Sequence, residues 1–510
     1  MNQLKTGAAL NYVVIILNML VGLLYTPYMV RMMGQSEYGL YSFVASVISY
    51  LTVLDLGMGN AIIRYTAKYR AEGKTTEQYE MFGMFLVLYI VIGIVAFAVG
   101  LGLYFNVDTL FCDTMTVEEL DKVRIMMLFL IFNLAVTFPM SIFGSIITAY
   151  ERFVFPKVVN IIRVVLNTAI MICLLEMGYK AIAMVVLQTV FNILTLIINY
   201  IYCKHKLRIK IFIRKFNWSF LKEVAIYSFW IFLNVIMDKI YWNTGQFVLG
   251  TFVGTVAVAV FAIAIQLHGM YNMFSTAISS VFLPKVTALV VRNNNRKDIS
   301  DLFIRIGRIQ YIMMSLILCG FIVFGRQFIH LWVGPAYNDA YIMTLLFFIA
   351  LLPPLIQNLG ITILQARNQM KFRSLLYICI AVVSLGFQIV LSKEYGGIGC
   401  AIVVSGALLL GQGLIMNIYY RQKQDLDILK FWKEIAKMSI VPIIMIVLSM
   451  YLLHNVVLDS WIKLGGAIGL FAIVYIPLFF YFSMNQTERD LFIKPVMNFV
   501  YKIKNDKNNR

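Results

Sequence analysis

Arg163, Asp238, Lys239 and His268 each interrupt a run of apolar residues, and Asp55 does the same inside "LTVLDLGMGN". The chemistry open to such groups is narrow. A guanidinium or ammonium holds phosphate or carboxylate, while a carboxylate or imidazole carries a proton or holds a cation. An ionised side chain at the centre of a bilayer costs about 3 kcal/mol or more, so each of the five needs a partner or a watery cavity. Asp238 and His268, near the middle of their runs, are the candidates for ion coupling. Asp55 stands beside Gly57 and Gly59, a sign of close helix packing, and reads either as a tie to Arg64 or another cation or as a titrating group.

Amides and hydroxyls recur around these charges at helical spacing. Asn11, Asn18 and Tyr25 follow heptad intervals; Asn160, Arg163 and Asn167 share a second face, and Gln188, Asn192, Thr195 and Asn199 a third. Asn234, Asp238 and Gln246 form a stripe with Lys239 and Asn243 beside it, and His268, Asn272, Ser275 and Ser279 another. Such stripes line a hydrophilic interior or serve as interhelical glue worth about 0.6 to 2 kcal/mol per bond. As an interior they offer Asn18, Tyr25, Asn160, Asn234, Asn243, Gln246 and Asn272 to a hydroxyl-rich ligand, and Arg31, Arg64, Arg163 and Lys239 to an anionic one. Arg64, Lys285, Arg305 and Arg308 lie near helix ends and can also snorkel.

Catalytic constellations are missing from the sequence. The four histidines are scattered, the six cysteines form neither a disulfide framework nor a metal spacing, and "EGKTTE" lacks the leading glycine of a phosphate-binding loop. Asp425-Leu-Asp427 imitates a metal-binding pair but sits among lysines. We expect neither an enzyme nor a resident metal or cofactor, leaving H+ or Na+ as coupling ions.

The elements that must position these residues are membrane helices. The chain is 61% hydrophobic and 13% charged, with mean hydropathy +0.82, far too apolar for a soluble protein of 510 residues. With about 20 apolar residues per crossing, spans fall near 8–30, 38–62, 80–105, 124–148, 158–176, 180–203, 223–250, 254–283, 302–326, 341–365, 374–392, 397–420, 435–455 and 461–484. Placing the amino terminus inside puts most of the 43 Lys and Arg residues in alternate loops, the pattern of cytoplasmic loops, and leaves both termini cytoplasmic. That bias accounts for the net charge of +18 without nucleic acid. The first run lacks an A-x-A exit and reads as a span rather than a cleaved signal; "YKIKNDKNNR" reads as a solvated tail that touches anionic lipid. The fold class is therefore all-α, a polytopic membrane protein of about fourteen transmembrane helices.

An offset of about 220 residues aligns "GQSEYGLYSF" with "GTVAVAVFAI"; at slightly smaller offsets "ITAYERFVFPKVVN" falls on "ILQARNQMKFRSLL" and "GYKAIA" on "GGIGCA". This predicts two pseudo-symmetric six-helix lobes, 1–210 and 211–425, then a helix pair at 426–484 and a basic tail at 485–510. Parallel repeats of this kind enclose a central cavity. Pro139 and Pro353-Pro354 predict bends at similar places in the two halves.

"EYGLYSFVASVISYLTVLDLGMGNAIIRYTAKYRAEGK", residues 37–74, resembles the amino-terminal signature of the polysaccharide transporter family, the branch of the multidrug/oligosaccharidyl-lipid/polysaccharide exporter superfamily that contains Wzx-type repeat-unit flippases. Glu37-Tyr38-Gly39, Asp55-Leu56-Gly57 and Arg64-Tyr65 carry the likeness, while Pro284 stands where the second half would repeat Arg64. The resemblance implies a bacterial cytoplasmic-membrane protein that exports undecaprenyl-pyrophosphate-linked glycans for O-antigen or capsule by alternating access. It implies as partners that glycolipid, membrane lipids, and polysaccharide polymerase and chain-length machinery. Two alternatives stay open. A cation-coupled multidrug antiporter of the same superfamily shares the lobes, but usually with twelve helices and acidic sites. A membrane-embedded glycan polymerase would carry a long outer catalytic loop, whereas the longest here, near 106–122, is short.

Overall fold

A computed structural model of the chain describes residues 3–213, 218–293, 296–367, 369–491 and 493, and every regular element among them is helical. The helices are α1 Gln3–Met33, α2 Gln35–Leu51, α3 Met58–Ala71, α4 Thr75–Phe105, α5 Val107–Phe111, α6 Val117–Ala149, α7 Val154–Glu176, α8 Ala181–Ile201, α9 Trp218–Trp242, α10 Thr244–Phe252, α11 Thr255–Asn293, α12 Arg296–Trp332, α13 Asp339–Ile356, α14 Asn358–Ala366, α15 Lys371–Leu408, α16 Met416–Lys423, α17 Ile428–Leu453 and α18 Trp461–Phe482.

Among the described residues, twelve helical stretches are long and apolar enough to cross a membrane. That is fewer than the fourteen expected. The difference lies in two places. The stretch over α9 and α10, broken at Asn243, is not one of the twelve, and Lys371–Lys423 stands as a single 53-residue stretch where two spans are expected. Fifty-three residues at about 1.5 Å each far exceed a hydrocarbon core of roughly 30 Å, and that stretch breaks at Gly396, whose φ of 56° and ψ of −136° only glycine adopts readily.

Local chemistry sets several ends. Thr116 and Glu119 form a reciprocal capping box at the start of α6; Asp427 and Ser460 cap α17 and α18. The predicted proline bend at Pro353-Pro354 appears as the end of α13, with Gln357 between it and α14. In "LTVLDLGMGN" the helix tightens to a 3-10 turn over Thr52–Asp55 and breaks at Leu56 and Gly57 before α3 starts.

The chain packs as two compact units, 1–267 with 371–407, and 268–370 with 408–510. In the first, α6 lies along α4 and α8, α1 along α7, and α2 against α10, around a core with Phe43, Phe82, Phe85, Tyr89 and Phe261. Gly39 lets α2 meet the start of α11, since a Cβ there would fall 1.9 Å from the Thr255 carbonyl oxygen. In the second unit, α12 packs on α13, α17 and α18 around Phe303, Phe347, Phe431 and Phe479. Arg308 does not snorkel. It is 5% exposed and grips Glu488 with Nε at 2.6 Å and Nη2 at 2.9 Å, while Nη1 donates to Glu434 at 2.8 Å. The outward rows of α17 and α18, including Ile440, Val447, Ile462 and Ile473, are an apolar surface suited to lipid.

Candidate functional site

A cavity of about 660 Å³ lies within the amino-terminal unit. α1 brings Asn18 and Tyr25 to its wall, α2 Tyr41 and Ser49, α6 Asn133 and Thr137, α7 Arg163 and Asn167, α8 Gln188 and Asn192, and α11 Gln266. Helical periodicity explains the selection: Asn18 and Tyr25, Asn133 and Thr137, Arg163 and Asn167, and Gln188 and Asn192 are each one or two turns apart on one face. Among the described residues the lining holds one cation, Arg163, and no carboxylate.

Hydrogen bonds hold this wall in place. Asn192 donates to Asn133 Oδ1 at 2.8 Å and to Thr137 Oγ1 at 2.7 Å, tying α8 to α6. Tyr41 donates to Gln188 Oε1 at 3.1 Å, and Gln266 to Thr26 Oγ1 at 2.7 Å and to the Gly22 carbonyl at 3.0 Å. Arg163 Nη2 donates to Asn160 Oδ1 at 3.0 Å. Asn160 is therefore the residue that orients the guanidinium, and its remaining donors stay available for an anionic ligand. The Tyr25 hydroxyl is buried without a hydrogen-bond partner among the described residues.

Of the residues picked from sequence as ligand-facing, Asn18, Tyr25 and Arg163 reach this cavity, with Asn160 one bond behind, and Asn167, Gln188 and Asn192 of the polar stripes join them. Asn11, on the same stripe as Asn18, accepts from Lys157 at 2.6 Å and acts as glue between α1 and α7. Arg31 lies in the last turn of α1, and Arg64 is exposed on α3, 5.8 Å from the ring centroid of Tyr65. Asn234, Asp238 and Lys239 lie on α9, Asn243 precedes α10, and Gln246 is buried within it; none lines the cavity. Asn234 accepts from Arg373 at 3.3 Å, and that guanidinium lies 4.5 Å from the centroid of Tyr377. Asn272 and His268 belong to the second unit, where His268 is 7% exposed and meets Phe347 edge-on. Asp55 accepts from Tyr89 at 2.9 Å, which anchors the break between α2 and α3 to α4.

Sequence reasoning overlooked Asn133, Thr137, Gln266 and Arg373. Gln266 is a lone amide in an apolar run, and Asn133 has only Thr137 one turn on, a single pair rather than a stripe.

Solved membrane transporters share the fold of this chain. The lipid II flippase MurJ in its inward closed conformation superimposes with a TM-score of 0.71 at 15% identity, over 97% of this chain and 100% of that one. An inward-facing multidrug resistance MATE family transporter of the MOP superfamily matches at 0.58 and 15% identity, over 81% of this chain and 99% of that one. A MOP superfamily transporter from Pyrococcus furiosus, described as having a binding pocket of reverse polarity, matches at 0.54 and 14% identity, over 82% and 97%. The chain belongs to the polysaccharide biosynthesis protein family, whose model matches residues 4–290. No curated protein matches the sequence.

Proposed function

We propose that this protein is a flippase that moves an undecaprenyl-pyrophosphate-linked oligosaccharide repeat unit across the bacterial cytoplasmic membrane for surface polysaccharide assembly. One observation carries the reading: the chamber of the amino-terminal unit combines amides and hydroxyls with one guanidinium and no carboxylate. Dragging sugar hydroxyls and phosphate through hydrocarbon costs several kcal/mol per unpaired group. Amides replace water around the sugars, and Arg163 neutralises an anionic group with charge-assisted bonds. The polyprenyl chain stays in lipid throughout. The two six-helix lobes, 1–210 and 211–425, rock to alternate access, both termini face the cytoplasm, and a polymerase takes the product. Family membership and the fold shared with a lipid II flippase support the direction of this reading.

The test is flipping of a labelled undecaprenyl-pyrophosphate oligosaccharide in liposomes holding only this protein, with and without proton or sodium gradients. Flipping is expected. Absence of flipping, with gradient-driven export of a small cationic dye instead, would replace the reading with that of a drug antiporter.

A further inference from the structure

We propose that the amino-terminal unit carries a zwitterionic phospholipid site at the membrane face opposite the amino terminus, formed by two neighbouring cavities that share Glu37, Lys122 and Lys180. The first cavity, about 590 Å³, is walled by Leu174, Ile182, Ala183, Val186 and Val190 of the α7–α8 hairpin. The second, about 400 Å³, is walled by Ser36, Thr116, Glu118 and Glu119 at the starts of α2 and α6. Both volumes suit ligand pockets, which run to roughly 300–1,000 Å³. An apolar chamber joined to a polar one through three charged residues asks for an amphiphile.

Charge accounting chooses the head. Glu37 is already neutralised, with Lys122 Nζ at 2.6 Å on one oxygen and the Ala181 N–H at 3.3 Å from the other. Glu119 accepts from Ser36, from Thr116 and, at 2.9 Å, from Thr255. Lys180 has no ion pair among the described residues, and Glu118, 80% exposed, only shares Lys122 with Glu37 at 2.6 Å. Lys180 and Glu118 therefore face the joint space together, near enough to feel each other's charge but without a direct contact, and Glu119, held by hydroxyls and the Thr116 N–H, adds a carboxylate with no direct cation. A head bearing one phosphate and one primary ammonium complements them: phosphate on Lys180, ammonium on Glu118. A choline head has no N–H to donate, and a glycerol head has no cation. An acyl chain fills the apolar cavity, where a polar occupant would lose its hydrogen bonds. Leu187 lines both that cavity and the chamber holding Arg163, so the bound chain leans on the partition of the transport chamber.

The test uses the purified full chain in detergent, with lipid retention read by native mass spectrometry and thermal unfolding read in parallel. The probes are dioleoyl phosphatidylethanolamine, phosphatidylcholine and phosphatidylglycerol. Wild type is expected to retain the ethanolamine lipid about tenfold more strongly than either other lipid, the equivalent of one charge-assisted hydrogen bond. Glu118→Gln should erase that preference, Lys180→Ala should lower retention of all three lipids by removing the partner of the phosphate they share, and Ala183→Trp should lower all three by filling the apolar cavity. Equal retention by wild type, preference for the glycerol lipid, an unchanged preference in Glu118→Gln, or unchanged retention in Lys180→Ala would overturn the site. Glu118 and Lys180 are both exposed, so their substitutions keep the test decisive if Ala183→Trp does not fold. None of these readouts depends on transport.

Discussion

Arg163 and Asn192 do different work at the same wall. Arg163 supplies the chamber's charge and Asn160 its orientation, so Arg163→Ala should leave membrane levels unchanged and slow flipping about tenfold or more, while Arg163→Lys keeps the charge without the planar fork and recovers part of the rate. Flipping rates in liposomes at matched protein density check this. Asn192 is a hub whose two bonds join α8 to α6. Asn192→Leu should therefore destabilise the protein by about 1 to 2 kcal/mol, read from unfolding in detergent. Asn192 and Asn167 announce themselves through their spacing. Asn133 becomes visible only when α8 lies along α6 and delivers the Asn192 amide, because a single amide–hydroxyl pair with Thr137 is too short a period to stand out in an apolar run.

Two close fits decide how elements stay together. At Gly39 any side chain would strike the Thr255 carbonyl, and backbone cannot yield as a flexible side chain can. Gly39→Leu should push α2 from the start of α11 and lower the thermal midpoint, or abolish folding, whereas Gly59→Ala, with its nearest neighbour the Ser145 hydroxyl at 3.2 Å, should be milder. In the second unit, Glu488 is 1% exposed and holds the segment after α18 against Arg308 of α12. Glu488→Ala leaves a buried guanidinium short of its main partner and should cost about 3 to 5 kcal/mol; Glu488→Gln keeps an acceptor and should cost less. The position of Arg308 near a helix end made snorkelling reasonable from sequence. Its partner lies 180 residues away, and no local pattern reveals such a distance.

For the whole molecule, orientation is the property the loop charges argue and labelling can check. Cys112 is exposed in the short connection after α5, and His205 is exposed just beyond α8. A variant keeping only Cys112 should react with a membrane-impermeant thiol reagent in intact cells. A variant with Cys only at 205, as His205→Cys, should react only after permeabilisation. The reverse pattern would invert the topology and the assignment of the loop lysines. The helix count shows where whole-chain reasoning stops at composition: the expected spans at 374–392 and 397–420 occupy one stretch broken at Gly396.

By itself the sequence determined the class of molecule, because hydropathy and loop charge report the solvent each segment meets, and a membrane leaves only helices for spans that lipid surrounds. It also determined the stripes of α1, α7 and α8, because periodicity is a property of the helix alone. Tertiary structure decided which stripe faces what. Asn18 and Arg163 meet in one chamber, Asn11 is spent on Lys157, and Asp238, Lys239 and His268 lie elsewhere. An amide or charge satisfies itself with whichever partner packing brings within about 3 Å, and that partner comes from another helix whose position no spacing along the chain records.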